Sequence, residues 1–177
     1  MELNVRISTP IRPTEELSKV EKCIRYTIDN GYRKNDDGDI LSESVLRDVL
    51  GNENLTVRLP DNVENASEKI EEIVVIGGIE LLEAIHGNIR KEEIIDTAYT
   101  ALKRGLSDDE CKTTFFLNKQ VAYARRLNFP ADEEPLGSVK VEIETNTPES
   151  MERLIDWLTP PTKNGVPVYE LTLKDLK

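Results

Sequence analysis

Within the first thirty positions the apolar residues change period, and this switch constrains the fold more than any other feature of the chain. Leu3, Val5 and Ile7 alternate with Asn4, Arg6 and Ser8, the period of a strand with one buried face. Beyond Pro13, the residues Leu17, Val20, Ile24 and Ile28 recur at helical spacing, with Thr14 placed to cap the helix and Asn30-Gly31 to stop it. A helix with one apolar stripe has to lie on another apolar surface, and the strand's buried face offers one.

The same two periods return along the chain. Ser42 to Leu50 predicts a short helix held by Val45, Leu46 and Val49, and Leu55, Val57 and Leu59 predict a strand ending at Pro60-Asp61. The unbroken run Ile73-Val74-Val75-Ile76 before Gly77-Gly78 suits a central strand. Ile79 to Ile85 reads as a short helix, and after His86-Gly87-Asn88 the residues Ile94, Ile95, Ala98, Ala101, Leu102 and Leu106 mark a longer one ending near Gly105. Thr113 to Leu117 and Arg125 to Phe129 look extended, and Val139, Val141 and Ile143 alternate as a last strand. Pro148 opens a final helix carrying Met151, Leu154, Ile155 and Leu158, which stops at Pro160-Pro161. Strands and helices are interspersed without strict alternation, which predicts an α+β fold: a two-layer sandwich of a mostly antiparallel sheet with helices on one face. Residues 1–158 are expected to form one domain, and 159–177 an extension docked on it through Val166, Val168, Leu171 and Leu173.

Several functional classes find no support in the residues. No segment approaches the ~20 consecutive apolar residues of a membrane span, and the start of the chain lacks the pattern of a secretion signal; a cytoplasmic protein without membrane contact is expected. Cys23 and Cys111 form no CxxC pair and have no histidine cluster nearby, so neither a disulfide framework nor a zinc site is expected; Cys23, among Val20, Ile24 and Ile28, reads as a small core residue. Gly77-Gly78 lacks the third glycine of a dinucleotide loop and the Gly-Lys-Ser/Thr of a P-loop, and Glu80 and Glu83 follow where a phosphate would sit. Asp36-Asp37-Gly38-Asp39 resembles a calcium loop, but with Gly38 as its sixth position the first and twelfth are Arg33 and Ser44, which are wrong for ligands. His86 is the only histidine, with no nucleophile identifiable beside it. No cofactor, no metal and no enzymatic activity are expected.

Charge bears on polyanionic partners. The formal net charge is −11, which opposes broad affinity for nucleic acid and argues against DNA as a partner. Acid is unevenly spread: Gly31 to Glu72 holds five Lys/Arg against eleven Asp/Glu, whereas Gly87 to Pro130 holds eight against six. Within the latter, Thr113 to Phe129 reads TTFFLNKQVAYARRLNF. Phe115 and Phe116 must point to opposite sides of a strand, one toward the core. An exposed aromatic beside cations stacks bases and holds phosphates, which makes Lys112, Lys119, Tyr123, Arg125 and Arg126 the candidate RNA-binding residues. The competing reading is that they cover a core or a subunit interface.

At these residues the chain resembles the archaeal uncharacterised protein family 0201. The resemblance rests on Val5-Arg6-Ile7-Ser8-Thr9-Pro10 with Pro13-Thr14-Glu15, on Ile94-Ile95-Asp96-Thr97-Ala98, on Leu117-Asn118-Lys119-Gln120-Val121-Ala122, on Pro135-Leu136-Gly137 and on Ile155-Asp156-Trp157-Leu158. It implies a fold similar to the ribosomal protein that binds 5S RNA, a homodimer, and a distant relation to archaeal proteins predicted to associate with the RNA exosome. None of these motifs is a catalytic signature. The functional expectation is a non-enzymatic homodimeric scaffold or protein-interaction domain, with weak or accessory RNA binding as the alternative.

Overall fold

Five antiparallel strands form the central sheet, seen in a computed structural model that describes residues 2–29, 31–32, 40–60, 71–130 and 137–176. The expected turn at 35–39, the calcium-like residues, the loop 61–70 and Pro135-Leu136 lie outside the described residues. Strand β1 (Leu3–Pro10) precedes helices α1 (Leu17–Ile28) and α2 (Glu43–Leu50), then come β2 (Thr56–Arg58) and β3 (Glu72–Gly77). Helices α3 (Glu83–Lys91) and α4 (Ile95–Arg104) lead to β4 (Lys112–Leu117), the short α5 (Lys119–Tyr123), β5 (Val139–Thr145) and α6 (Pro148–Leu158). The sheet order is β2-β3-β1-β5-β4, with the N-terminal strand in the centre. The α+β sandwich anticipated from the periodicities is the architecture observed.

One face of the sheet carries the core. Val5 and Ile7 of β1, Ile73 and Val75 of β3, Phe115 and Leu117 of β4 and Val139, Val141 and Ile143 of β5 are all buried, as period-two alternation requires. Against them lie the helix stripes Val20, Cys23, Ile24 and Ile28, then Ile85 and Ile89, Ile95, Ala98 and Leu102, and Met151, Leu154, Ile155 and Leu158.

Both sheet edges are plugged. Beside β4, the Thr114 amide donates to the Gly105 carbonyl at 3.2 Å and the Ser107 amide to the Lys112 carbonyl at 2.8 Å. This approach needs glycine, because a Cβ at Gly105 would sit 1.8 Å from the Thr114 carbonyl oxygen. At the opposite edge the Val57 amide donates to the Glu43 carboxylate at 2.9 Å. A charged or covered edge discourages sheet-to-sheet addition.

Several local readings are corrected. Thr14 does not cap α1, which begins three residues later with Glu16 at the cap position and no side-chain cap bond. Ile79–Leu81 is a 3-10 turn, and α3 runs straight through His86-Gly87-Asn88; burial of Ile85 and Ile89 outweighs the roughly 1 kcal/mol helix penalty of Gly87. Residues 125–129 are not a strand: Arg125 has φ 66°, incompatible with extended backbone, and the Asn118 amide instead bonds to the Asn128 carbonyl at 2.9 Å. After α6 the chain makes a hairpin, β6 (Thr162–Lys163) and β7 (Val166–Pro167), turning at Asn164 and Gly165 with φ 54° and 79°. Asn-Gly with positive φ at both positions is the strongest short-range hairpin signal, and it stood unread in the sequence. Of the residues expected to dock this extension only Leu171 packs against the core, while Val166, Val168 and Leu173 are exposed; Leu176, farther on, is buried and belongs to the core cluster. Arg90 ties this tail down, donating to the carbonyls of Trp157 and Leu158 at 3.0 Å and to the Glu170 carboxylate.

Candidate nucleic-acid interface

The five sequence candidates are not brought together; they fall in three different places. Asn118 caps α5 by accepting from the Val121 amide at 2.9 Å, and the turn so fixed points Lys119 inward. Its side chain is 5% exposed, and its Nζ donates to the Pro10 carbonyl at 2.7 Å and to the two Glu15 carboxylate oxygens at 2.9 and 3.1 Å. Glu15 also accepts from the Arg12 amide at 2.9 Å, while the Cys23 thiol donates to the Lys119 carbonyl at 3.2 Å. Lys119 is therefore withdrawn from any RNA surface: it is a buried cation locking α5 to the end of β1 and to the loop before α1. Burial pushes the Cys23 thiol up to about 12, which makes it an inert core residue. A cleft of about 280 Å³ lies over this junction, lined by Glu15, Lys19, Cys23, Lys119 and Tyr123 among others.

Arg125 and Arg126 are exposed at the helix layer. The Arg125 guanidinium lies 5.9 Å from the Tyr26 ring centroid. Arg126 is 75% exposed, with its Nε 3.7 Å from a Glu92 carboxylate that also accepts from the Leu127 amide at 2.8 Å. Burial, and then the Glu92 charge, raise the Tyr26 hydroxyl above its usual range despite both arginines. These cations thus sit against a carboxylate and a ring of their own chain.

Lys112 stands elsewhere, on the side of the sheet opposite the core, where none of the described helices packs. The strand registers set out that face in rows. One row runs Phe116, Lys140, Ser8, Val74 and Arg58; the next Thr114, Glu142, Arg6, Ile76 and Thr56; and Lys112 opposes Glu144, which opposes Asn4. Ser8 and Val74 are buried, so the open part is the β4–β5 half, where Phe116 is partly exposed while Phe115 enters the core, 5.7 Å from the Phe129 ring. At the centre, Glu142 is 14% exposed and ringed by Arg6 Nη1 at 2.9 Å, Lys112 Nζ at 3.4 Å and Lys140 Nζ at 3.5 Å. Burial alone would raise its carboxyl, but the Arg6 hydrogen bond and the charges of Lys140 and Lys112 outweigh that and hold it below the usual carboxylate range.

Across this face Arg6, Arg58, Lys112 and Lys140 stand against Glu72, Glu142 and Glu144, a small cationic excess on a chain of net charge −11. Sequence reasoning missed Arg6, Arg58 and Lys140 because they belong to strands remote from one another in the chain and only register unites them. The usable signal was the alternation itself: each is the polar member of a strand whose apolar residues face the core.

His86 is also accounted for within the fold. Its ring stacks on Trp157 at 4.4 Å, and burial, aided by the Arg90 charge, pulls it down to about 4. Among the described residues no three His, Cys, Asp or Glu side chains are placed to hold a metal, and no helix is long and apolar enough to cross a membrane.

A family model described as RNA binding matches residues 4–145, which reaches from Asn4 in β1 to the end of β5. A UPF0201 protein of Methanosarcina acetivorans is 35% identical over 97% of this chain and 93% of its own. The chain belongs to the UPF0201 family. Another family member, from Aeropyrum pernix, is 28% identical over 95% of the chain and 92% of its own. The crystal structure of the UPF0201 protein from Methanococcus jannaschii is similar at a TM-score of 0.65, with 25% identity, covering 94% of this chain and 99% of that one. Two of the family-like segments read from the sequence, Pro13-Thr14-Glu15 and Leu117 to Ala122, meet at the Lys119–Glu15 junction.

Proposed function

We propose that this chain is an RNA-binding protein that acts by contact rather than catalysis, and that it meets RNA with the β4–β5 half of its helix-free sheet face. The observation that carries this is the combination of a partly exposed Phe116 with Lys112, Lys140 and Arg6 on one open surface of an otherwise acidic protein. Aromatic rings on a sheet face, flanked by cations, are a recurring means of holding RNA. The family model's description supports the same reading. Affinity is expected to be modest, because three carboxylates share the face and the remaining surface repels phosphate.

The test is titration of a labelled RNA at two salt concentrations. Lys112→Ala/Lys140→Ala should weaken binding and flatten the log–log salt dependence by roughly 0.7 for each phosphate that is no longer neutralised, whereas Arg125→Ala/Arg126→Ala should leave both nearly unchanged. The reverse pattern would move the site to the helix layer, and salt-independent or absent binding would end the proposal.

A homodimer is the second reading, and the C-terminal hairpin favours it. Val166 and Val168 are 65% and 64% exposed, with Tyr169 exposed beside them, an apolar cluster of the kind that marks protein contacts. Sedimentation at micromolar concentration decides it: a monomer throughout would remove this reading.

A further inference from the structure

We infer that the RNA bound on this face is single-stranded, with one unpaired base stacked on Phe116 and neighbouring phosphates held by Lys140 and Lys112. The inference rests on the RNA-binding reading above and specifies its ligand. Phe115 and Phe116 are adjacent yet divided in use. Phe115 packs against Phe129 inside the core, while Phe116 sits on the helix-free face at the open β4–β5 side. Among the described residues no other aromatic ring stacks on it. Its direct cross-strand neighbour on that face is Lys140, and Lys112 lies four residues back on the same side of β4, roughly 13 Å away at strand spacing. A ring with a cation beside it and a second farther along the same strand fits a base with its backbone running along the strand.

A duplex fits poorly. In A-form RNA the base faces are consumed by stacking within the helix, so Phe116 would meet only an edge or the backbone. Duplex recognition also relies on phosphates and 2′-hydroxyls presented across successive grooves, which calls for an extended cationic surface. Here the cations are few, and Glu142 already engages Arg6, Lys112 and Lys140. The edge of β4 is flanked by Gly105 to Ser107 and then by Asn128, so the platform is also short along that side. A short surface of low net charge with one usable ring gains most from stacking.

The experiment is fluorescence anisotropy of the full chain with a labelled twelve-nucleotide oligouridine, a labelled twelve-nucleotide oligoadenosine and the duplex of the two. Wild type, Phe116→Leu and Phe116→Tyr are compared at low salt, with circular dichroism confirming that each is folded. The single strands should bind at least about tenfold more tightly than the duplex. Phe116→Leu keeps an apolar side chain but loses the ring, and should weaken single-strand binding by about 5- to 150-fold, the range of one base stack; Phe116→Tyr should retain it. Equal affinity for strands and duplex, or a Phe116→Leu variant that binds oligouridine as the wild type does, would overturn the single-strand inference while leaving an RNA-binding protein. Binding to none of the three would overturn the RNA reading itself.

Discussion

Replacing Glu142 by Gln tests the helix-free face in a direction that damage to the fold cannot imitate. Among the described residues Glu142 is the one carboxylate that three cations of the face share, so removing its charge leaves Arg6, Lys112 and Lys140 with a stronger claim on phosphate. Exposed ion pairs are worth about 0.2–1 kcal/mol each. The three partners are 39%, 45% and 41% exposed, and Gln keeps an acceptor for Arg6, so the net loss of stability should be about 1 kcal/mol. RNA affinity should rise: one phosphate taking the carboxylate's place is worth about fivefold at ~1 kcal/mol and should steepen the salt dependence by roughly 0.7. The assay is oligouridine titration at two salt concentrations alongside urea unfolding. The same variant carries a pH signature. The folded carboxyl titrates below its ordinary value, so Glu142 contributes stability that is present above about pH 4.5 and is lost as pH falls through the lower folded value; Glu142→Gln should flatten that acid limb. Unchanged or weaker RNA binding by a folded Glu142→Gln protein would refute the placement of the site.

The remaining predictions concern the frame that positions this face. Lys119→Ala leaves the Glu15 carboxylate, only 13% exposed, without its cation and should cost about 3 kcal/mol in urea unfolding; a loss below about 1 kcal/mol would show that the junction is not holding α5. Gly105→Ala should destabilise by more than about 3 kcal/mol, since its Cβ collides with the Thr114 carbonyl, and a near-neutral result would mean that the β4 edge is not covered as described. Ile95→Ala and Leu102→Ala, both at buried sites of α4, should each cost about 2–5 kcal/mol by the same measurement. His86, neutral in the fold and titrating near 4 rather than 6.5, takes up protons more readily when unfolded, so stability should fall between pH 6.5 and 4; His86→Gln should remove that slope, and a stability unchanged by pH in the wild type over this window would refute it.

What the sequence revealed and what it concealed divide by the range of the interaction. Leu3, Val5 and Ile7 alternate within a few residues, and Ile94 to Leu106 repeats along one helix; these are local patterns, so the layers and most of the core could be read directly. The same locality misled the search for a site. Lys119, Arg125 and Arg126 lie close together in a basic, aromatic stretch, yet the tight turn capped by Asn118 sends the first into the interior and leaves the others beside Glu92 and Tyr26. Nothing in Lys119 alone says that Glu15, 104 residues earlier, waits to neutralise it.

The converse holds on the other side of the sheet. Arg6 and Lys112 belong to strands other than that of Glu142, and each looks like ordinary strand solvation until register places both beside Glu142 and its strand neighbour Lys140. The face is therefore a consequence of topology. Because β1 occupies the centre of the sheet, between β3 and β5, its polar residue Arg6 reaches Glu142 on one side and Glu72 on the other. A cation in that position helps hold the strands in register and also offers charge to a ligand, and the two roles compete for one guanidinium. That competition is the physical reason to expect weak, salt-sensitive binding here, and the reason the carboxylate rather than any of the cations is the most informative residue to change.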